Sequence, residues 1–567
     1  MAIPNRVRSG VAAALLALAI AGAASAADPP PRDERITLYR NPVLRGFHPD
    51  PSVVRVGSWF YLVNSSFEFF PGVPIYQSRD LVHWESLGHV LTRDSQLPLG
   101  GAGPSGGIFA PTIRHHGDTF YMITTNVSHG GSFFVTARNA EGPWSEPVWL
   151  HVPGGGIDPS LFFDDDGKVY LTSTGSAPGI YASQIDVKTG KLLTQPRIVW
   201  QGTGGRYPEG PHLYKVGGAY YLMISEGGTE YGHMVTIARA RSPWGPFEVC
   251  PRNPILTHRN TPLSQPIQAT GHADLVQDGE GNWWMVFLGI RPQGGYYWHH
   301  LGRETFLAPV RWDADGWPVV NEGKPIALEM HVRGLPESER GDDSFRPKEE
   351  FGGPALGPAW TFLRNPVRAS YSTTERPGWL TLHPTAVPLD QEKGTSPTFV
   401  GRPQAMLRGY YEVTIDFAPG RAGEEAGLAL YRSPHAHYEL GVRRAGAGRE
   451  VFVRQTVGRD LSTVTTSAPA PGSAPLRLVI EVQPTGYSFS WAPVPDLAHD
   501  KKVPRAAPLG TAETRLLATE VTGGFIGTMV GLYAHAPADD GSPTPAAFSS
   551  FFPTDEDPPV TDSGRIP

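Results

Sequence analysis

The amino-acid sequence predicts an all-β protein in which a five-bladed β-propeller is followed by a β-sandwich. Three observations predict this fold: a turn-rich composition, a hairpin pattern that occurs five times, and a later region of alternating apolar and polar residues. Glycine and proline account for 66 and 57 of the 567 residues, and 10% of the chain is aromatic. This composition excludes a protein of long helices, and the aromatic content excludes a disordered chain.

The hairpin pattern starts at residues 50, 110, 158, 210 and 272. In each copy a strand, a glycine-containing turn and an aromatic-rich second strand predict a β-hairpin. A further strand-like element follows each hairpin, at residues 75–84, 134–144, 180–186, 235–244 and 301–306. Two hairpins in each repeat make a four-stranded sheet, and five such sheets favour a propeller. An open solenoid is the alternative, but the repeat stops near residue 330 and a closed ring leaves no long free sheet edge.

The repeat gives way to a polar stretch at residues 333–346, after which apolar and polar residues alternate, as at residues 411–417 and 476–482. About 200 residues of this alternation, interrupted by turn residues, predict a β-sandwich. We therefore expect a propeller over residues 27–335 and a sandwich over residues 336–557. The proline- and aspartate-rich residues 558–567 are expected to form a mobile tail.

Residues 1–26 predict an export signal. Arg6 and Arg8 precede an apolar run over residues 11–23, and the Ala-Ser-Ala that ends at Ala26 fits a cleavage site. An uncleaved anchor is the alternative, but the run is short for a bilayer. We expect a cleaved protein that is secreted or periplasmic and has no membrane partner.

Charge and cysteine content exclude several classes of function. The chain has 48 basic and 55 acidic residues and a net charge of −7, which excludes a basic nucleic-acid surface. Cys250 is the one cysteine, so an internal disulfide and a cysteine-cluster metal site are excluded. The sequence has no serine-hydrolase elbow, phosphate-binding glycine loop or zinc-protease motif.

The repeat also gathers acidic residues at one end of the predicted central channel. The first strand of a propeller blade lines this channel, so the residues that open these strands converge on one axis. The aligned residues are Asp50, Ala110, Asp158, Gly210 and His272, with Glu209 directly before Gly210. Like charges repel each other in a shared pocket, which favours a functional role over the alternative of turn capping. Two carboxylates that flank a bond are typical of glycoside hydrolysis, and a third raises the pKa of the acid.

The motifs around these residues resemble those of glycoside hydrolase family 43. Asn-Pro-Val-Leu-Arg-Gly-Phe-His-Pro-Asp-Pro-Ser at residues 41–52 is similar to the family's opening motif. Residues 65–72 resemble its β-xylosidase and α-L-arabinofuranosidase branch, and residues 209–213 its acid motif. The resemblance implies that Asp50 is the general base, that Glu209 is the general acid, and that Asp158 tunes and orients the acid. It also implies inversion at the anomeric carbon.

The same resemblance implies further site residues. Phe67 matches an aromatic residue of the sugar site, and Phe109 stands where β-xylosidases often have tryptophan. Arg291 matches an arginine that reaches the substrate, and His272 a central histidine. The sandwich would be a jelly-roll, concanavalin-like domain whose loop at residues 522–527 brings Phe525 to the site. No cofactor is required, although in some members a calcium ion at the propeller centre is approached by this histidine through water.

The sequence therefore predicts a secreted, exo-acting, inverting glycosidase. It would remove terminal β-D-xylose or α-L-arabinofuranose from oligosaccharides of plant hemicellulose such as xylan, arabinoxylan and xyloglucan. Two alternatives stay open: an endo-acting arabinan hydrolase, and a catalytically silent carbohydrate-binding propeller. The intact Asp50, Asp158 and Glu209 argue against the silent propeller, because binding alone needs no such set of acids.

Overall fold

The computed structural model describes residues 36–293, 298–336, 348–459, 461–470, 472–494, 505–538 and 541–557. The expected signal peptide, residues 1–26, and the expected tail, residues 558–567, lie outside the described residues. In the part of the chain that is described, no helix is both long and apolar enough to cross a membrane.

Five antiparallel sheets form the blades of a propeller, as the repeat predicts. The first blade contains Ser52–Val56, Trp59–Val63, Gly72–Ser78 and Glu85–Leu91. The second contains Thr112–His116, Thr119–Asn126, Gly131–Ala137 and Val148–Trp149. The third contains Ser160–Phe163, Val169–Ser173, Ile180–Asp186, Lys191–Leu192 and Arg197–Trp200.

The remaining two blades follow the same plan. The fourth contains Glu209–Val216, Ala219–Glu226, Met234–Ala240, Glu248–Val249 and Leu256–Thr257. The fifth contains Gln268–Gln277, Trp283–Ile290, Glu304–Trp312 and Pro318–Val320. In this last blade the element expected at residues 301–306 instead begins at Glu304 and is longer. The first strand of every blade contacts the first strands of the blades before and after it, which closes the ring and excludes a solenoid.

The tight hairpins depend on glycine for backbone conformation rather than for space. Gly57, Gly117 and Gly217 follow the first strands of three blades and have φ angles of 61°, 60° and 58°. A Cβ atom at any of them would meet nothing within 4 Å. Glycine is favoured there because the left-handed region is strained for other residues. Outside the blades, Ile36–Arg40 pairs antiparallel with Glu329–Arg333 and joins the two ends of the propeller region.

Two sheets form the C-terminal sandwich. One contains, in spatial order, Ser462–Ala470, Gly448–Val457, Ala436–Ala445, Glu425–Ser433, Met529–His535, Thr398–Pro403, Thr361–Leu363 and Phe69–Phe70. The other contains Tyr371–Ser372, Leu380–Leu382, Ala546–Asp555, Gly409–Asp416, Leu476–Gln483, Gly486–Pro493 and Ala507–Glu513. Short 3-10 helices occur at Asn321–Gly323, Arg368–Ser370 and Thr514–Leu517, and a four-residue α-helix at Thr519–Thr522.

The propeller and the sandwich share a sheet and an apolar cluster. The short strand Phe69–Phe70 belongs to the propeller region, yet it pairs with Thr361–Leu363 at the edge of a sandwich sheet. Phe67 and Phe69 also pack in one buried cluster with Ile526 and Met529 of the sandwich. This packing fixes the sandwich loop that precedes Ile526 against the mouth of the propeller channel.

Candidate active site

The aligned channel residues share an unusual backbone conformation. Asp50, Asp158, Gly210 and His272 have φ angles of 53°, 56°, 56° and 43°. Residues other than glycine rarely adopt such angles, and strained residues of this kind cluster at functional sites. Four of the five blades therefore have a residue of positive φ at the aligned position. Asp50 and Asp158 precede their inner strands, and Gly210 and His272 lie at register shifts within theirs.

The same backbone conformation explains why the fourth blade carries its acid one position earlier. A Cβ atom at Gly210 would lie 3.1 to 3.3 Å from three atoms of the His272 imidazole. Only glycine fits there without displacing the histidine. The side chain that the fourth blade contributes is therefore that of Glu209, as the sequence predicts.

Asp50 is buried and is held as an anion. Arg303 Nη1 donates to its Oδ1 at 2.7 Å, and the Ser65 hydroxyl donates to its Oδ2 at 2.5 Å. His272 Nδ1 lies 3.9 Å from Oδ1. Burial raises the pKa of Asp50, but Arg303, His272 and the Ser65 hydroxyl outweigh burial and lower the pKa below its ordinary value. Asp50 is thus ionised at neutral pH.

Asp158 is also buried, but its surroundings raise its pKa where those of Asp50 lower it. Burial raises its pKa, the charges of Glu209 and Asp50 raise it further, and His272 partly offsets them. The resulting pKa is about 7. The Gly210 N–H donates to Oδ2 of Asp158 at 3.0 Å, which ties Asp158 to the strand that carries Glu209. Asp50 therefore ionises far more readily than Asp158.

Glu209 is the most accessible of the three acids. Its side chain is 19% exposed, against 6% for that of Asp50. Its Oε1 lies 3.5 Å from Nε2 of His233, which is completely buried. The acid therefore faces the open side of the site, and the ionised Asp50 lies deeper.

The three phenylalanines that the resemblance implies, Phe67, Phe109 and Phe525, pack together beside Arg303. The Phe67 ring centroid lies 5.3 Å from that of Phe109 and 6.0 Å from that of Phe525, and the Phe67 and Phe525 rings are stacked at 27°. The guanidinium of Arg303 lies 5.6 Å from the ring centroids of both Phe67 and Phe525. The loop expected to reach the site does reach it: the Phe525 N–H donates to Ser105 Oγ, and its carbonyl accepts from Arg303.

The structure does not bring Arg291 into this group. Its guanidinium donates to both oxygens of the buried Glu304, at 2.7 and 2.9 Å. Arg303, twelve residues later, is the arginine that contacts Asp50. Both arginines lie close to the third strand of the fifth blade, and the sequence does not show which of them pairs with Glu304 and which with Asp50.

Sequence reasoning also missed Ser65, Thr229 and His233. Ser65 and His233 contact Asp50 and Glu209 as described, and the Thr229 hydroxyl accepts from Arg303 Nη1 at 3.2 Å. Ser65 lies within the motif at residues 65–72, so its proximity to Asp50 across the first hairpin was open to prediction. Thr229 and His233 lie in the loop between the second and third strands of the fourth blade, where nothing in the sequence marks them.

The donor set does not fit a calcium ion bound directly by protein. Calcium takes six to eight oxygen ligands, whereas the Asp50 oxygens already accept from Arg303 and Ser65. Further along the channel, Arg114 pairs with the buried Asp274 at 2.8 Å. Among the described residues, no group of three or more His, Cys, Asp or Glu side chains is arranged to hold a metal ion.

An ionised carboxylate, a more exposed carboxyl group and a third carboxyl of raised pKa lie close together at one end of the propeller channel, and Arg303 links the first of them to the phenylalanines. Such a set supplies a base and an acid on either side of a glycosidic bond, and it defines a glycosidase. The chain belongs to the glycosyl hydrolases family 43, whose family model matches residues 39–318. A model described as the beta xylosidase C-terminal concanavalin A-like domain matches residues 348–552.

Known proteins are similar to this chain over most of its length. It is 43% identical to the non-reducing end alpha-L-arabinofuranosidase of Bacteroides ovatus, over 90% of this chain and 94% of that protein. It is 39% identical to a xylosidase/arabinosidase of Butyrivibrio fibrisolvens, over 88% of this chain and 96% of that protein. A solved structure titled Bacteroides ovatus Xyloglucan PUL GH43B is 42% identical, with a TM-score of 0.85, over 91% of this chain and 99% of that one.

Proposed function

We propose that the protein is an exo-acting, inverting glycosidase that removes terminal β-D-xylosyl or α-L-arabinofuranosyl residues from hemicellulose oligosaccharides. The observation that carries this proposal is the electrostatic contrast between Asp50 and its neighbours. Asp50 is ionised by Arg303 and Ser65, whereas Asp158 has a raised pKa. The base must be ionised, as Asp50 is, and the acid Glu209 must be protonated, which a site that also disfavours ionisation of the neighbouring Asp158 supports.

In the proposed reaction Asp50 takes a proton from a water molecule that attacks the anomeric carbon. A carboxylate has about four lone-pair sites, and the three hydrogen bonds from Arg303 and Ser65 leave room for that water. Glu209 gives its proton to the departing glycosidic oxygen as the carbon–oxygen bond breaks. Asp158 accepts a hydrogen bond from the strand of Glu209 and has a pKa raised to about 7. Its ionised fraction places a second negative charge close to the acid and so favours the protonated form of Glu209.

Exo action is supported by the depth of the three groups. At most 6% of the surface of Asp50, Arg303 or Phe67 is exposed, whereas the Glu209 side chain is 19% exposed. Phe525 of the sandwich packs over this inner end. A single terminal sugar would occupy the closed end, and the rest of the oligosaccharide would extend from the Glu209 side.

Xylose and arabinofuranose are proposed as the released sugars because the similar proteins are an arabinofuranosidase and a xylosidase/arabinosidase. Xylopyranose and arabinofuranose are both pentoses that present similar hydroxyl groups, and apolar ring faces suit the three phenylalanines. We also propose export of the mature chain, supported by the basic and apolar pattern that ends at Ala26. Sequencing the N-terminus of the protein from medium or periplasm tests this, and an intact Met1 in the cytoplasm contradicts it.

The decisive test compares kcat/KM on 4-nitrophenyl β-D-xyloside, 4-nitrophenyl α-L-arabinofuranoside and the corresponding oligosaccharides. Glu209→Gln should lose ~10²–10⁴-fold on oligosaccharides and much less on nitrophenyl substrates, because nitrophenolate needs little protonation to leave. Asp50→Asn should fail on both, because water must be activated in either case. Asp166→Asn, in an exposed hairpin turn, is the matched control and should behave as wild type.

Three results would contradict the proposal. Equal losses for Glu209→Gln on both substrate types would remove the acid assignment. An early fall in the viscosity of arabinan would favour endo action. Sugar binding without turnover by the wild-type protein would favour a silent propeller.

A further inference from the structure

His233 is a buried histidine that packing alone does not explain. It lies directly before the third strand of the fourth blade, Met234–Ala240, and its side chain is completely buried. Neither ring nitrogen has a hydrogen-bond partner among the described residues. Buried polar groups are nearly always satisfied, and an exception at an active site calls for a functional explanation.

The surroundings hold this imidazole in one place. The backbone N–H of His233 donates to the Glu230 carbonyl at 2.9 Å, and the backbone carbonyl of His233 accepts from the Thr257 hydroxyl at 2.9 Å. The ring lies flat against Gly271, where an added Cβ atom would meet ring atoms at 2.3 Å. The backbone of His233 is therefore anchored on both sides, and Gly271 closes one face of the ring.

Oε1 of the Glu209 carboxyl lies 3.5 Å from Nε2 of the ring. A neutral imidazole has one N–H donor. With the proton on Nε2, the ring can donate to Oε1. Catalytic hydrogen bonds are often long without substrate and shorten in the reactive complex.

We propose that His233 is a positioning residue for the general acid, which rests on the assignment of Glu209 under the proposed function. Its Nε2–H binds Oε1 of Glu209, so that the transferable proton resides on Oε2, facing the glycosidic oxygen. When that proton leaves with the departing alcohol, the same N–H stabilises the carboxylate that remains. The proton passes from Glu209 to the leaving group, and His233 itself neither gains nor loses one.

The test replaces His233 with phenylalanine, which keeps a ring and removes both nitrogens. If His233 acts through Glu209, kcat/KM should fall ~10–100-fold on a disaccharide or methyl glycoside, as for loss of a hydrogen bond to a charged group. On the nitrophenyl glycoside the fall should be below about threefold, because that leaving group needs little acid assistance. The melting temperature should stay the same or rise, because an unpaired buried polar group has been removed.

A double-mutant cycle provides the sharpest measurement. In a Glu209→Gln background, His233→Phe should cause no further loss on the disaccharide, because residues that act as a unit are not additive. Gly271→Ala is the second probe, since its Cβ would displace the ring without altering either side chain. It should give the same dependence on the leaving group.

His258 is the matched control. It is also a buried histidine of the fourth blade, but both its ring nitrogens are paired, with the Ile267 carbonyl and the Ile326 N–H. His258→Phe should lower the melting temperature and leave the ratio of activities on the two substrates unchanged. Equal losses on both substrates for His233→Phe, or additive losses in the Glu209→Gln background, would overturn the proposal. If the wild-type protein hydrolyses neither substrate, the proposed function itself has failed.

Discussion

The Phe525 ring of the sandwich stacks on the Phe67 ring of the propeller, with centroids 6.0 Å apart and planes inclined by 27°. Phe67 is 2% exposed and Phe525 is 41% exposed. The inner ring is therefore part of the shared core, while the outer one presents a face to the site. The second domain thus completes the wall of the pocket.

Phe525→Ala should raise KM and leave the melting temperature nearly unchanged. An exposed ring adds little to the free energy of unfolding, whereas loss of a sugar-contacting surface removes binding common to substrate and transition state. Val521→Ala is the control, because Val521 lies in the preceding helix and is 45% exposed. A fall in melting temperature with an unchanged KM would instead identify Phe525 as a core residue, whose loss costs about 3–5 kcal/mol.

Arg303→Met should move the acidic limb of the pH profile of kcat/KM to higher pH. Burial alone raises the pKa of Asp50, and Arg303 is the largest influence that lowers it. An opposite charge at this distance typically shifts a pKa by ~1–3 units, which sets the expected displacement. The profile of the free enzyme reports this group directly.

Arg291→Met is the control for that experiment. It breaks the buried pair with Glu304 and should cost roughly 3–5 kcal/mol of stability. The acidic limb should stay where it is. A displaced acidic limb in Arg291→Met, with none in Arg303→Met, would instead support Arg291, the arginine that the resemblance implies.

Asp158→Asn should change how stability depends on pH. A carboxyl whose pKa is raised to about 7 stabilises the fold fully below its unfolded pKa, and this contribution is lost as the pH rises through about 7. Relative to wild type, Asp158→Asn should therefore gain on the order of 4 kcal/mol between pH 4 and pH 8, since the pKa rises from 3.8 to about 7 and each pKa unit corresponds to ~1.4 kcal/mol. Denaturant unfolding at several pH values measures the difference.

Asp164→Asn is the matched control for Asp158. Asp164 is also buried, but hydrogen bonds from Lys215 and Tyr220 outweigh burial and lower its pKa. Its contribution is therefore constant between pH 5 and pH 8. Stability curves of Asp158→Asn and wild type that run parallel over this range would contradict a raised pKa.

Much of this architecture is predictable because its signals are local. The five hairpins, their glycine turns and the acids at Asp50 and Asp158 each lie within a few residues of sequence. Contacts between distant segments were beyond prediction from pattern alone: Arg303 meets Asp50 across 253 positions, and Phe70 pairs with Phe362 at the edge of the sandwich. The resemblance, not the pattern, anticipated that Phe525 reaches the site.

His233 shows a different limit of sequence reasoning. Nothing near it resembles a catalytic motif, and a histidine before an apolar strand is usually a satisfied core residue. Its position at Glu209 depends on the absence of a side chain at Gly271, which belongs to another blade. Only three-dimensional packing relates these residues.

The stereochemistry of hydrolysis tests the central claim most directly. Asp50 and Glu209 come from the first and fourth blades, and inverting enzymes keep their two carboxyls ~6.5–9.5 Å apart to admit a water, whereas retaining enzymes hold them ~5–5.5 Å apart. Proton NMR of the first product released from a β-xyloside should show α-xylose, which then mutarotates. Initial appearance of β-xylose would contradict the inverting mechanism and the role of Asp50 as the base.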